Sequence, residues 1–160
     1  MKITIFGTGY VGLVTGTCLA EVGHEVMCID TDTQKIENLK NGIIPIYEPG
    51  LAEIVIRNQA MGRLLFSSDA IQWISFSHVI MSAVGTPPDM NHRADLQYVK
   101  SVAKIVWENI DQYTVFINKS TVPVGTGILC RDIIQSELKK RNIHTEFDMV
   151  SNPEFLKEWS

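Results

Sequence analysis

The sequence has little of what staples or anchors a protein. Only three cysteines occur in 160 residues, at positions 18, 28 and 130. The number is odd and the spacing is neither CxxC nor a zinc pattern, which argues against a disulfide framework and a structural zinc site. Cys18 and Cys28 lie in apolar stretches and are expected to be small buried hydrophobes. No run approaches the roughly 18 apolar residues of a membrane span. The longest nearly apolar stretch is Val79–Val84, and Ser82 interrupts it. Positive charge is also scarce: 14 Lys and Arg stand against 18 Asp and Glu, a net charge of −4. That balance argues against a nucleic-acid partner. The four histidines, at 24, 78, 92 and 144, are scattered without metal-ligand spacing. Met1-Lys2-Ile3-Thr4-Ile5-Phe6 runs straight into glycine and has no leader-like apolar core, so a cytoplasmic setting is expected.

What is present is an alternation of strand and helix signals. Hydrophobic residues make up 45% and charged residues 20%, as in an ordinary globular domain. Strands are expected at Lys2–Phe6, Glu25–Ile29, Leu64–Ser67, His78–Val84, Thr114–Asn118 and Glu146–Val150. Helices are expected at Tyr10–Val22, Thr33–Lys40, Leu51–Asn58, Asp69–Ile74, Leu96–Ile110 and Thr126–Arg141. Asp32 reads as an N-cap, and Gly23 and Asn41-Gly42 as helix stops. The first helix is expected to bury Val11, Val14, Cys18 and Val22. The fifth is expected to bury Leu96, Val99, Val102, Ala103, Val106 and Ile110. Ile43–Gly50 and Gly85–Ala94 carry two prolines each and read as loops. This order predicts an α/β fold: a doubly wound parallel sheet of six strands, order 3-2-1-4-5-6, with helices on both faces.

Gly7-Thr8-Gly9-Tyr10-Val11-Gly12 is a GxGxxG string. It follows an expected strand, opens an expected helix, and precedes an acid, Asp30, by 18 positions. Gly7 suits a tight turn, Gly9 lets a pyrophosphate approach the backbone, and Gly12 lets the helix pack against the strand. The helix N-terminus offers free N–H groups to phosphates. Asp30 suits the ribose hydroxyls. A 2′-phosphate would meet Asp30 and Asp32, so NAD is expected rather than NADP.

Two more loops lie at carboxyl ends of strands, where open α/β sheets bind ligands. They are Gly85-Thr86-Pro87-Pro88 and Asn118-Lys119-Ser120-Thr121-Val122-Pro123-Val124-Gly125. Each reads equally as a ligand loop or as ordinary turn chemistry. Beyond the sixth strand, Glu154 and Glu158 stand one helical turn apart. Such a pair serves either as base and orienter at a crevice or as a solvated helix start.

Together these strings resemble the UDP-glucose/GDP-mannose dehydrogenase family. The resemblance spans the whole chain. It rests on Gly7–Gly12, Pro45-Ile46-Tyr47-Glu48-Pro49-Gly50-Leu51, Gly85-Thr86-Pro87, Lys119–Gly125 and Asn152–Glu158. The forms Val122–Thr126 and Ile46–Pro49 look most like the UDP-glucose branch.

The resemblance implies oxidation of a sugar C6 alcohol to a carboxylate with two NAD⁺, through a cysteine-bound thioester that water hydrolyses. Carried over, Gly7, Gly9, Tyr10, Val11, Gly12, Asp30, Lys35, Thr86, Thr121 and Glu158 match cofactor-binding positions. Thr121 and Glu154 match catalytic positions at the hydrolytic water. Glu154, Phe155, Leu156, Lys157 and Glu158 match a segment that touches the sugar nucleotide. The family nucleophile lies beyond residue 160, and Cys18, Cys28 and Cys130 match no catalytic position. The expectation is therefore that residues 1–160 form an NAD-binding domain, without the central and C-terminal sugar-nucleotide domains and inactive alone. UDP-glucose or a related sugar nucleotide is the implied substrate. The C-terminal half or a second copy is the implied protein partner, docking on an exposed apolar surface. Two other readings share the sheet: a non-catalytic dinucleotide-binding or regulatory module, and part of a GDP-mannose or UDP-N-acetyl-sugar dehydrogenase.

Overall fold

The computed structural model describes residues 1–90 and 92–154. Its strands are β1 (Lys2–Phe6), β2 (Glu25–Ile29), β3 (Leu64–Ser67), β4 (Val79–Ser82), β5 (Thr114–Asn118) and β6 (Phe147–Ser151). Its helices are α1 (Tyr10–Glu21), α2 (Thr33–Lys40), α3 (Leu51–Ala60), α4 (Ala70–Ile74), α5 (Gln97–Asn109) and α6 (Thr126–Lys140). All strands are parallel, in the order β3-β2-β1-β4-β5-β6. This is the doubly wound sheet that the alternating pattern predicts. Strand order reverses between β1 and β4, which opens a crevice at their carboxyl ends.

Strand residues alternate between two cores, because successive side chains point to opposite faces. Ile3, Ile5, Val26, Cys28, Leu64 and Phe66 pack under α1, α2 and α3. Phe6, Met27, Ile29, Ile80 and Phe116 pack under α4, α5 and α6. The face under α1 thins toward β6: Val115 and Ile117 are half-buried, and Asp148 and Val150 are exposed.

The structure corrects the buried stripe of α1. The residues facing the sheet are Gly12, Leu13, Gly16, Thr17 and Ala20. Val11 and Val14 are half-buried, whereas Cys18 and Val22 are exposed. The helix is apolar nearly all round, so hydrophobicity alone does not select its face. Small residues do, because they let the helix approach the strands. A Cβ on Gly16 would stand 2.7 Å from Cys28 Sγ. On α5, Leu96 is half-buried and just precedes the helix, and the fully buried Trp107 joins the stripe. Its ring lies 5.0 Å from that of Phe147.

Several boundaries shift. β4 spans only Val79–Ser82, although the Ala83 amide still donates to the Phe6 carbonyl of β1 at 2.8 Å, while α3 extends to Ala60. Asp69 caps α4 from outside, accepting a hydrogen bond from the Gln72 amide at 3.0 Å. Among the described residues, no helix is long and apolar enough to cross a membrane, and no cluster of three metal-ligating side chains occurs.

Candidate functional site

β1 ends where Gly7 turns the chain. Its φ of +98° lies in the left-handed region, and its N–H donates to the Ile29 carbonyl at 2.7 Å. A Cβ on Gly7 would stand 2.6 Å from the Ala83 carbonyl oxygen, and one on Gly12 only 2.0 Å from the Gly7 carbonyl oxygen. Both clashes are with backbone, so glycine at these two positions sets the seat of α1. Gly9 differs: a Cβ there would meet nothing within 4 Å. The space beside Gly9 is open, and the first N–H groups of α1 border it.

Two hollows flank this turn. One, of about 400 Å³, is mostly apolar and lined by Phe6, Ile29, Asp30, Lys35, Val84 and Tyr98 among others. The second, of about 710 Å³, is lined by Tyr10, Thr86, Lys119, Thr121 and Glu154 among others. Gly9, Ala83, Val84 and Gly85 border both. The carboxyl ends of β1 and β4 thus form a ridge between the two halves of one cleft.

In the first half, Asp30 is fixed by four donors. Its Oδ2 accepts from the Thr8 amide at 2.9 Å, the Thr8 hydroxyl at 2.6 Å and Lys35 Nζ at 3.0 Å. Among the described residues its Oδ1 accepts only from the Asp32 amide, at 3.1 Å, and so keeps acceptor capacity. Burial pushes the Asp30 carboxyl up, but the bonds from Thr8, Asp32 and Lys35 outweigh it and hold it below the ordinary carboxylate value. Asp32 caps α2 through the Lys35 amide at 2.9 Å, which places the Lys35 ammonium over Asp30. The spacing of the glycines does not predict the role of Thr8, which stands between Gly7 and Gly9. The small hydroxyl between two glycines was its only signal.

In the second half, hydrogen bonds stitch three loops together. Thr86 Oγ1 donates to the Thr121 carbonyl at 2.9 Å. Ser120 Oγ donates to the Val84 carbonyl at 2.7 Å, and the Lys119 amide to the Ser82 carbonyl at 2.8 Å. The Asn152 amide donates to the Asn118 carbonyl at 2.9 Å and carries β6 toward Glu154. Thr121 is exposed, and Thr86 and Glu154 are half-buried. Ser120 and Lys119 stand in the loop read from the sequence, which assigns neither of them a role. Val11, on the first turn of α1, also borders this half. Phe155, Leu156, Lys157 and Glu158 lie outside the described residues.

The cysteines sit apart from both halves. Cys28 is fully buried, and burial pushes its thiol up to about 12. Burial also raises Cys130, on α6. The expected burial of Cys18 does not hold: it is exposed on α1, about 12 Å along the helix from Tyr10.

The cleft suits an extended, doubly phosphorylated ligand. Open backbone sits at its middle, an ionised carboxylate at one end, and hydroxyls with a carboxylate at the other. Comparison with known proteins agrees. The family model described as the UDP-glucose/GDP-mannose dehydrogenase family, NAD binding domain, matches residues 1–160. A UDP-glucose 6-dehydrogenase of Bacillus subtilis is 54% identical over 99% of this chain, and one of Rhizobium meliloti is 47% identical over 99%. The chain spans 34% and 36% of their lengths, about a third. Among solved structures, a UDP-glucose dehydrogenase of Pyrobaculum islandicum superposes with a TM-score of 0.87 at 35% identity. That match covers 98% of this chain and 36% of the other. A GDP-mannose dehydrogenase of Pseudomonas aeruginosa gives 0.88 at 33% identity, covering 99% and 37%. The chain belongs to the UDP-glucose/GDP-mannose dehydrogenase family and corresponds to its NAD binding domain.

Proposed function

We propose that this chain is the NAD-binding portion of a UDP-glucose 6-dehydrogenase. The reaction oxidises UDP-glucose to UDP-glucuronate with two NAD⁺ and water. One observation carries the reading: a single cleft joins a carboxylate suited to a ribose with a hydroxyl and carboxylate pair suited to activating water. Asp30 Oδ1 accepts from the adenosine ribose, Lys35 holds the Asp30 carboxylate in place, and the open backbone at Gly9, Tyr10 and Val11 receives the pyrophosphate. Gly7 and Gly12 seat the helix that presents this backbone. Thr86 and Thr121 border the reacting end, and Glu158 belongs with them by family resemblance. Bound NAD⁺ supplies the hydride acceptor. Thr121 orients the water that hydrolyses the thioester, and a Glu154 carboxylate oxygen takes its proton. Glu154 through Glu158 is assigned to the sugar nucleotide.

Neither a raised, buried Cys28 nor a raised Cys130 suits a thiolate nucleophile, and Cys18 lies on the outer side of α1. The nucleophile and most sugar contacts are therefore assigned to central and C-terminal domains of a longer enzyme; the chain spans about a third of the length of the curated relatives it matches. Residues 1–160 bind NADH but do not turn over alone. The free cysteines support a reducing, cytoplasmic setting.

Calorimetric titration with NADH tests the binding claim. Saturable binding that weakens in Asp30→Ala is expected, whereas no binding in the wild type would sink it. Comparing NADH release from UDP-glucose, GDP-mannose and UDP-N-acetyl sugars in the full-length enzyme tests the substrate. Faster release with either of the latter would move the assignment to that branch.

A further inference from the structure

The loop before α3 carries a contact that neither the fold nor the proposed reaction explains. The Tyr10 hydroxyl donates to the Glu48 carboxylate, a partner 38 positions away. Tyr10 is the first residue of α1 and lines the reacting half of the cleft beside Thr86, Thr121 and Glu154. Glu48 does not line it. Its mount is rigid. The Glu48 carbonyl accepts from the Leu51 amide at 3.0 Å, and Gly50 has φ +80° and ψ −9°. Pro49 and Gly50 thus occupy the central positions of a type II turn. Leu51 anchors the turn in the core. Ile44 and Ile46 pack against that core, and Tyr47 points to solvent. The turn therefore aims Glu48 inward at a single aromatic ring.

We infer that Glu48 is a positioning residue that acts through Tyr10. A tyrosine ring is placed by two side-chain torsions. A hydrogen bond to a carboxylate on a rigid turn holds one orientation, and the ring then forms a fixed wall of the reacting half. A ring wall of this kind orients a flat pyridine or a hexose. It stands apart from Asp30 and the adenosine end. The inference rests on the dehydrogenase reading and assigns the Tyr10 side chain to the geometry of the reacting end, leaving its backbone to the pyrophosphate.

The test uses the full-length enzyme with Tyr10→Phe, Glu48→Ala, Glu48→Gln and the double variant Tyr10→Phe/Glu48→Ala. Wild-type turnover is measured first, and its absence overturns the dehydrogenase reading itself. With an active wild type, Tyr10→Phe and Glu48→Ala each lower kcat/KM about tenfold, and the double variant falls no further. Glu48→Gln recovers most of the loss, because its amide oxygen still accepts. NADH affinity stays within about twofold in all variants, since none of them alters the Asp30 carboxylate or the backbone assigned to the pyrophosphate. Multiplying losses in the double variant, unchanged kcat/KM in both single variants, or NADH affinity falling in step with kcat/KM would each overturn the inference. Tyr10→Phe and Glu48→Gln preserve shape and carry the test if Glu48→Ala fails to fold.

Discussion

The two halves of the cleft share a ridge but differ in how their polar groups are held. In the first half the key carboxylate is locked: four donors fix Asp30 among apolar walls. Among the described residues of the second half, Tyr10, Thr86 and Ser120 are tied by their own hydroxyls, whereas the two groups proposed for chemistry are not. Thr121 and Glu154 are positioned mainly through their backbone neighbours, with Thr86, Ser120 and Asn152 joining the loops. A locked carboxylate suits recognition, because its acceptor geometry and charge are set before a ligand arrives. Side chains left accessible on a stitched loop frame suit chemistry, because they must meet a substrate and move a proton.

The sharpest way to break this division is to separate fold from ligand at the shared turn. Gly12→Ala places a methyl group 2.0 Å from the Gly7 carbonyl oxygen. It should cost about 3 kcal/mol of stability, seen as a lower midpoint in urea unfolding. Gly9→Ala meets nothing within 4 Å, so unfolding should be unchanged while NADH affinity drops roughly tenfold as the methyl enters the phosphate space. Equal destabilisation by both would refute the distinction.

Next comes the reacting half. Glu154→Gln in the full-length enzyme should lower kcat about a hundredfold, the usual scale for losing a general base, with NADH affinity unaltered. Asp30→Ala should do the converse. NADH affinity should fall about thirtyfold, or about 2 kcal/mol, for loss of a charge-assisted ribose contact. Calorimetry on the 160-residue chain measures it. A smaller effect is expected from Thr86→Val, which removes the hydroxyl tie to the Thr121 carbonyl. It should lower kcat roughly fivefold, consistent with about 1 kcal/mol for one hydrogen bond.

The smallest expected effect is that of pH on the first half. The folded Asp30 carboxyl lies below its ordinary 3.8. The stability it contributes is therefore complete above 3.8 and is lost only as pH falls through the lowered folded value. NADH affinity should stay flat from about pH 8 to about pH 5. A drop through that window that disappears in Asp30→Ala would show the lock to be weaker than its geometry implies.

Much of this was legible in the sequence, for physical reasons that differ by element. The glycine string, the β-rich runs and Asp30 declare themselves, because backbone sterics and strand alternation act locally. The face of α1 did not. Val11, Val14, Cys18 and Val22 have helical spacing, yet Gly12, Gly16 and Ala20 face the sheet, because closeness of approach outweighs side-chain hydrophobicity there. The burial of Trp107 is not local either: its ring packs on Phe147, forty residues later, within the core under α5 and α6. Thr8 and Ser120 look like turn residues until their partners, Asp30 and the Val84 carbonyl, are seen beside them.

By itself the sequence determined the α/β alternation, the turn at Gly7 and the carboxylate at Asp30, which follow from short-range sterics and patterning, and the strand order, which follows from the doubly wound topology that the alternation implies. Only the tertiary structure decided which face of α1 is buried, that Thr8 and Lys35 converge on one oxygen of Asp30, and that Glu48 grips Tyr10 across 38 positions. Those outcomes depend on segments distant in the chain meeting in space, and no local pattern specifies which side chains will meet.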